Sequence, residues 1–117
     1  MTITIDDFKK LDIRLGTVKE ASKIEGTDRL VKLVIDFGTE TRQIVSGIAP
    51  YYPDLSVLVG KQMPAILNLE PRRIKGEESQ GMVLYAVQSA IEGHKEGEER
   101  LTTLSPDEPL ENGSVIR

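Results

Sequence analysis

The amino-acid sequence predicts an all-β protein, a five-stranded barrel with a short N-terminal helix, a short helix between strands 3 and 4, and a C-terminal extension. Three observations predict it. At 117 residues the chain has room for one hydrophobic core and not two, so residues 1–117 are expected to form a single domain with its core at about residues 12–87. Five short segments with strand character follow one another at close spacing. Only one short helical turn interrupts them, between the third and the fourth.

Thr4-Ile5-Asp6-Asp7 is a capping-box pattern, which starts a helix from Ile5 to about Lys10 with Phe8 and Leu11 facing inward. From Asp12 the period changes to two, with Ile13, Leu15 and Thr17 on one side and Arg14, Gly16 and Val18 on the other; Gly16 is a candidate bulge. A second strand, Leu30 to Phe37, places Val31, Leu33, Ile35 and Phe37 on one face, and Gly38-Thr39-Glu40 turns it into a third strand, Thr41 to Val45. Pro50 to Leu55 is too rich in proline for a strand and leads into a helical turn around Asp54 to Leu58 that Gly60 ends. The fourth strand is Gln62 to Leu67, with Pro64 expected at an edge or bulge. Asn68 to Gln80 is expected as a long basic loop, Gly81 to Val87 as a largely buried fifth strand, and Gly93 to Arg100 as a charged connector. Leu101 to Arg117 holds two short extended pieces separated by Pro106, Pro109 and an Asn112-Gly113 turn. This order is that of an OB-fold barrel; a generic small barrel or open meander fits the same pattern.

Composition removes most enzyme chemistry. With no cysteine and one histidine, thiol nucleophiles and Cys/His metal sites are absent from the sequence, and His94 lies in a polar connector where an exposed side chain is expected. Ser46 lacks the glycine two positions earlier that a nucleophile elbow needs, and Gly60-Lys61 has neither the upstream glycine nor the following Ser/Thr of a phosphate-binding loop. No cofactor is implied. No apolar stretch approaches a membrane span, and a cytoplasmic protein is expected. The net charge of -4 is uneven: residues 1–88 carry 12 basic and 12 acidic side chains, whereas residues 89–117 carry 3 basic and 7 acidic. A basic face is therefore compatible with an acidic total. Aromatic residues make up 4% of the chain, too few for base stacking to be the main binding device.

Three stretches carry a resemblance. Asp7-Phe8-Lys9-Lys10-Leu11-Asp12-Ile13-Arg14-Leu15-Gly16, Arg42-Gln43-Ile44-Val45-Ser46-Gly47-Ile48 and Asn68-Leu69-Glu70-Pro71-Arg72-Arg73-Ile74-Lys75-Gly76-Glu77-Glu78-Ser79-Gln80-Gly81-Met82 occur in the order and spacing of one family. The chain resembles the tRNA-binding OB-fold domain found at the C-terminus, or as a separate beta subunit, of methionyl-tRNA synthetases. Similar domains occur as stand-alone tRNA-binding proteins, in synthetase-associated cytokine precursors, in the phenylalanyl-tRNA synthetase beta chain and in CsaA-type export chaperones. Coverage runs from about Asp7 to Val87, and the terminal pieces resemble the dimerising extensions of homodimeric members.

The resemblance implies tRNA binding by Arg29, Lys32, Arg42, Ser46, Asn68, Arg72, Arg73, Lys75, Ser79 and Met82. Lys32 and Arg42, if both project from the outer barrel face, can meet backbone phosphates, or they line a solvated face. Arg72, Arg73 and Lys75 lie close enough to repel one another unless a polyanion is present. Asn68, Ser46 and Ser79 can read a base edge or a 2′-OH, or simply cap loops. Met82 stands near a bound nucleotide or packs in the core. Two departures from the family pattern matter: no histidine precedes Asp28-Arg29-Leu30, and Glu70 and Glu77 put negative charge into the basic segment. Weaker or more salt-sensitive tRNA binding than that of a fully basic relative is expected from them. Leu101, Leu104, Leu110, Val115 and Ile116 are too apolar for a solvated tail and pack either against the chain's own helix around Phe8 and Leu11 or against the same elements of a second copy; the resemblance implies the second, with Phe8, Leu11 and these five as dimer contacts. A non-catalytic accessory module of methionyl-tRNA synthetase follows, with tRNA, a second copy and a synthetase catalytic subunit as partners. The alternatives are a CsaA-like chaperone that binds unfolded polypeptide and a purely structural dimerisation module.

Overall fold

The computed structural model describes residues 1–89 and 99–117, so His94 and most of the expected charged connector lie outside the described residues. Helix α1 spans Ile5–Phe8, and its capping box is formed: Asp7 N–H donates to Thr4 Oγ1 at 3.1 Å while Thr4 N–H donates to Asp7 Oδ2 at 3.2 Å. Strands follow as β1 (Ile13–Lys23), β2 (Val31–Asp36), β3 (Thr41–Ser46), β4 (Gln62–Ile66), β5 (Arg72–Ile74), β6 (Glu77–Ser79), β7 (Met82–Val83), β8 (Tyr85–Gln88) and β9 (Arg100–Thr103). Short 3-10 turns occupy Ala49–Tyr51 and Leu55–Leu58, both between β3 and β4, and the Asp54 side chain caps the second by accepting from Ser56 N–H. The central sheet is antiparallel with order β3-β2-β1-β4-β7; β5 pairs only with β6, and β8 only with β9.

The sheet curls around one core built from Val18, Val31, Leu33, Ile35, Phe37, Ile44, Ile48, Leu58, Met63 and Val83. Alternation along β2 is as the sequence predicts, with Val31, Leu33 and Ile35 wholly buried and Lys32, Val34 and Asp36 facing outward. Curling brings β3 and β7, the two sheet edges, together. The gap is closed by the polypeptide just before β7: Gln80 N–H donates to the Gln43 carbonyl at 2.8 Å, and Val45 N–H donates to Ser79 Oγ at 3.0 Å. These bonds satisfy backbone groups that a free edge would leave open to water or to another chain.

Several expectations are corrected. Gly16 is not the bulge; the register of β1 against β2 shifts between Val18 and Glu20. A Cβ at Gly16 would come within 2.6 Å of the side chains of Ile35 and Phe37, so glycine is there because two core side chains lie across its Cα. Phe8 and Leu11 do not face inward: Phe8 is only half-buried and Leu11 is 39% exposed, because a four-residue helix is too short to lay an apolar stripe on the barrel. Pro64 stands inside the sheet and not at its edge. Leu15, its partner across the ladder, sends its own N–H and carbonyl away to Ser114 and Gly113, so no bond on that side needs a proline N–H. The Asn68–Gln80 segment is a β-hairpin over its second half, and Gly81–Val87 is two strands, of which β8 leaves the barrel to pair with β9 while Val87 stays 51% exposed.

The C-terminal extension returns to the barrel's own first strand. Gly113, Ser114 and Ile116 make backbone bonds with Leu15 and Ile13, continuing along β1 where β2 has ended. Thr17 Oγ1 donates to Asn112 Oδ1 at 2.7 Å, and the Gln62 side chain holds both the carbonyl and the N–H of Leu110.

Substituting Gly16→Ala should destabilise the fold by about 1–3 kcal/mol through overpacking, read as a lower midpoint in urea with an unchanged slope; an unaltered midpoint would contradict the close approach of Ile35 and Phe37.

Candidate nucleic-acid interface

The hairpin β5–β6 turns through Lys75 and Gly76, both with positive φ, at 53° and 81°. That pair of left-handed residues marks a two-residue type I′ turn, whose twist suits an antiparallel pair. Gly76 adopts it freely, whereas Lys75 bears a small strain and in return projects its ammonium at the hairpin tip. Cross-strand partners share a face, so Ile74 lies with Glu77, Arg73 with Glu78 and Arg72 with Ser79. Alternation then puts Arg72, Ile74, Glu77 and Ser79 on one side and Arg73 and Glu78 on the other.

The first side docks on the outer face of β2 and β3. Besides the Ser79 contact with Val45, Gln43 Nε2 donates to Glu77 Oε2 at 3.0 Å and to the Glu78 carbonyl at 2.9 Å, while Lys32 Nζ lies 3.5 Å from Glu77 Oε1. The sequence reading missed Gln43 as an anchor. The signal was present: Gln43 pairs with Val34 at an outward position of β3, where a long amide can reach across to another element.

Lys32 and Arg42 do not share the outer face. Lys32 pairs with Val45 on the outside, but Arg42 pairs with Ile35, which is fully buried, so Arg42 belongs to the inner face at the end of the barrel. There its guanidinium donates to the carbonyls of Leu67 at 2.6 Å and Gln80 at 3.0 Å and pairs with Glu40, whose carboxyl is held below its usual range by that hydrogen bond. Arg42 thus ties β3 to the ends of β4 and β6, a fork geometry that Lys could not reproduce.

The remaining candidates separate by burial. Ser79 is 4% exposed, and its hydroxyl is used on Val45 N–H and the Gly81 carbonyl. Ser46 is buried against Val31 on the inner face, beside the Tyr85 hydroxyl. Both ends of the Asn68 amide bridge the N-terminal segment to β4: Nδ2 donates to the Lys10 carbonyl and Oδ1 accepts from Asp12 N–H, at 2.6 and 2.8 Å. Met82 is 47% exposed at the start of β7 and is not a core residue. Arg29 is exposed on the β1–β2 connection near Tyr51, whose hydroxyl donates to Glu99 at 2.9 Å and whose pKa that carboxylate raises. Arg72, Arg73 and Lys75 are exposed and have no ion-pair partner among the described residues; Arg73 donates only to the Gly76 carbonyl. The hairpin therefore carries three exposed cations without an ion-pair partner among the described residues, beside Lys32, which is paired with Glu77.

The Tyr85 hydroxyl is buried without a hydrogen-bond partner among the described residues, and burial pushes its pKa up to about 12. Ser46 lies beside it without completing a hydrogen bond of normal geometry. A group raised in the folded state binds its proton more tightly there than in the unfolded chain, so its contribution is full below the ordinary tyrosine pKa of about 10 and fades as pH rises towards 12. Tyr85→Phe should therefore lessen the loss of thermal stability between about pH 10 and pH 12 while costing little at pH 7; an unchanged alkaline profile would show that this hydroxyl does not titrate with unfolding.

A second surface is apolar. Leu15, Pro64, Leu104, Pro106, Leu110, Val115 and Ile116 line an open groove of about 310 Å³ where the extension crosses β1 and β4. Leu104, Leu110 and Val115 are 40%, 52% and 56% exposed, so the extension that binds its own barrel by its backbone turns apolar side chains outward. Leu101 differs, packing partly buried against the core.

Comparison with known proteins agrees with this architecture. Residues 13–115 match the family described as "Putative tRNA binding domain". The chain is 46% identical over 116 residues to a methionine–tRNA ligase of Streptococcus pneumoniae serotype 4, covering 97% of the chain but 16% of that relative's length. Among solved structures it is similar to a MetRS-related protein from Pyrococcus horikoshii, with a TM-score of 0.87 and 33% identity over 100% of this chain and 99% of that one. It is also similar to the chaperone CsaA of Bacillus anthracis, with a TM-score of 0.83, 30% identity and 100% coverage of both chains. With one family matched across both the curled sheet and the returning extension, the chain belongs to the tRNA-binding domain family represented in methionine–tRNA ligases.

Proposed function

We propose that the chain binds tRNA without catalysing a reaction, recognising shape and backbone more than bases, as an accessory beta subunit or C-terminal-type domain of methionyl-tRNA synthetase. The observation that carries this reading is the hairpin: Arg72, Arg73 and Lys75 stand exposed and unpaired among the described residues, beside Lys32 on the outer face of β2. Cations at that density are relieved by a polyanion. Ser46, Ser79 and Asn68 do not present base-reading groups here, since Ser46 is buried on the inner face and Ser79 and Asn68 direct their polar groups at the protein itself. The chain spans a small part of the ligase relatives it matches, so the accessory role rests on their name and on this surface together.

The apolar groove supports a homodimer. We assign its occupant as a second copy of this chain, with Leu104, Leu110, Val115 and Ile116 as contacts and with Phe8 and Leu11, exposed or half-exposed on the N-terminal segment, completing the interface. Two hairpins on one dimer would raise the effective affinity for a large folded RNA. The same groove, with the likeness to CsaA, favours one second reading: a chaperone that captures extended polypeptide.

Binding of mixed tRNA across a salt series tests the first reading. About five neutralised phosphates, one each for Arg29, Lys32, Arg72, Arg73 and Lys75, predict a log-log slope of about -4.5 on a duplex and about -3.5 on single strands. Arg72→Ala should flatten the slope by about one unit and cost more than Arg73→Ala, because Arg72 shares the side of the hairpin that faces Lys32. Absence of tRNA binding at low salt, with an unfolded peptide still captured, would favour the chaperone reading. Sedimentation at micromolar concentration should give twice the 13.0 kDa chain mass and Leu110→Asp should shift it to the monomer; a monomer in the unaltered protein would sink the dimer.

A further inference from the structure

Glu77 holds an unusual place on this surface. Its carboxylate lies in the middle of the basic face, with one oxygen 3.0 Å from the Gln43 amide and the other 3.5 Å from the Lys32 ammonium. The two donors come from different strands, β3 and β2, and lie diagonally on one outer face. Two oxygens of one anion, met by an ammonium and an amide N–H on a rigid sheet, are also how a phosphate diester's two free oxygens would be held. Lys32 and Glu77 are both about one-third exposed at the side chain, so solvent and a competing anion can reach the pair. Glu77 is borne by a hairpin that pairs with no strand of the central sheet.

We propose that the Lys32–Gln43 cradle is a phosphate subsite that Glu77 occupies in the free protein, so that Glu77 is an internal competitor whose displacement accompanies RNA binding. The proposal rests on the tRNA reading above and refines it. Glu77 then does two things. It docks the hairpin onto β2 and β3, and it lowers affinity by neutralising Lys32, which restricts binding to RNAs that make enough other phosphate contacts to displace it. Glu78, one residue on, carries the same charge on the opposite side of the hairpin, and its carboxylate forms no ion pair among the described residues. It is therefore the internal control for charge alone.

The experiment compares tRNA binding of the full chain and its Glu77→Gln, Glu78→Gln, Lys32→Gln and Glu77→Gln/Lys32→Gln variants across a salt series, with thermal melts to confirm folding. Glu77→Gln keeps an acceptor for Gln43 and frees Lys32, so affinity should rise roughly three- to tenfold at low salt while the slope stays nearly unchanged, because Lys32 meets a phosphate in both complexes. The gain should vanish in the double variant, and Glu78→Gln should not reproduce it. An equal gain from Glu78→Gln, or a gain that survives Lys32→Gln, would overturn the proposal in favour of a long-range charge effect. If no variant binds tRNA, inorganic triphosphate is titrated against the Gln43 side-chain amide signal in the Glu77→Gln protein. A shift larger than in the unaltered chain would uphold the cradle and remove the tRNA reading, and no shift would remove both.

Discussion

The closure of the β3 edge is the contact on which the rest of the molecule depends. A five-stranded antiparallel sheet that curls has two edges, and here one of them, β7, is only two residues long. A regular ladder cannot close such a barrel. Ser79, Gln80 and Arg42 close it instead, by a hydroxyl, two main-chain groups and a guanidinium that bridges two carbonyls. Since Ser79 ends β6, the same bonds that seal the core also set the angle at which the β5–β6 hairpin leaves the barrel. The basic surface is thus placed by the core's closure.

Charge is distributed by the same logic. Cations near the barrel end are tied to the fold: Arg14 donates to Asp12 and to the Gly113 carbonyl, and Arg42 is tied to Glu40 and two carbonyls. Cations on the hairpin are left to solvent, where a second anion can reach them. An overall charge of -4 therefore coexists with a local positive surface, because four acidic residues in excess reside in the C-terminal quarter of the chain. Electrostatic steering depends on this local field more than on the total.

What was legible in the sequence was whatever obeys a local period. The alternation of β2, the turn at Gly38, the capping box at Thr4 and the helical turn after Asp54 were all readable because each is decided within a few residues. The family was readable because three stretches kept their order. What was not legible depended on distant partners. Gly16 has no local mark that separates a bulge from a close approach; only Ile35 and Phe37 packing across it decide the matter. Arg42 looks like a surface cation until Leu67 and Gln80 are brought beside it, and Asn68 looks like a reader of bases until Lys10 and Asp12 claim its amide. The hairpin was hidden because its turn residue is Lys75, which has no obvious preference for positive φ, although Gly76 after it was a clue. Glu77 appeared as a departure from a basic pattern, and the structure turns that departure into a contact.

On the proposed reading, nucleic acid meets this protein on the outer face of β2 and β3 and on the hairpin that leans over it. The most direct test is amide chemical-shift mapping of isotope-labelled protein titrated with tRNA at low salt. Signals from Lys32, Gln43 and the segment from Arg72 to Glu78 should move together and return on adding salt, while those of the groove from Leu104 to Val115 stay in place. Shifts confined to that groove, or none on the hairpin, would contradict the account.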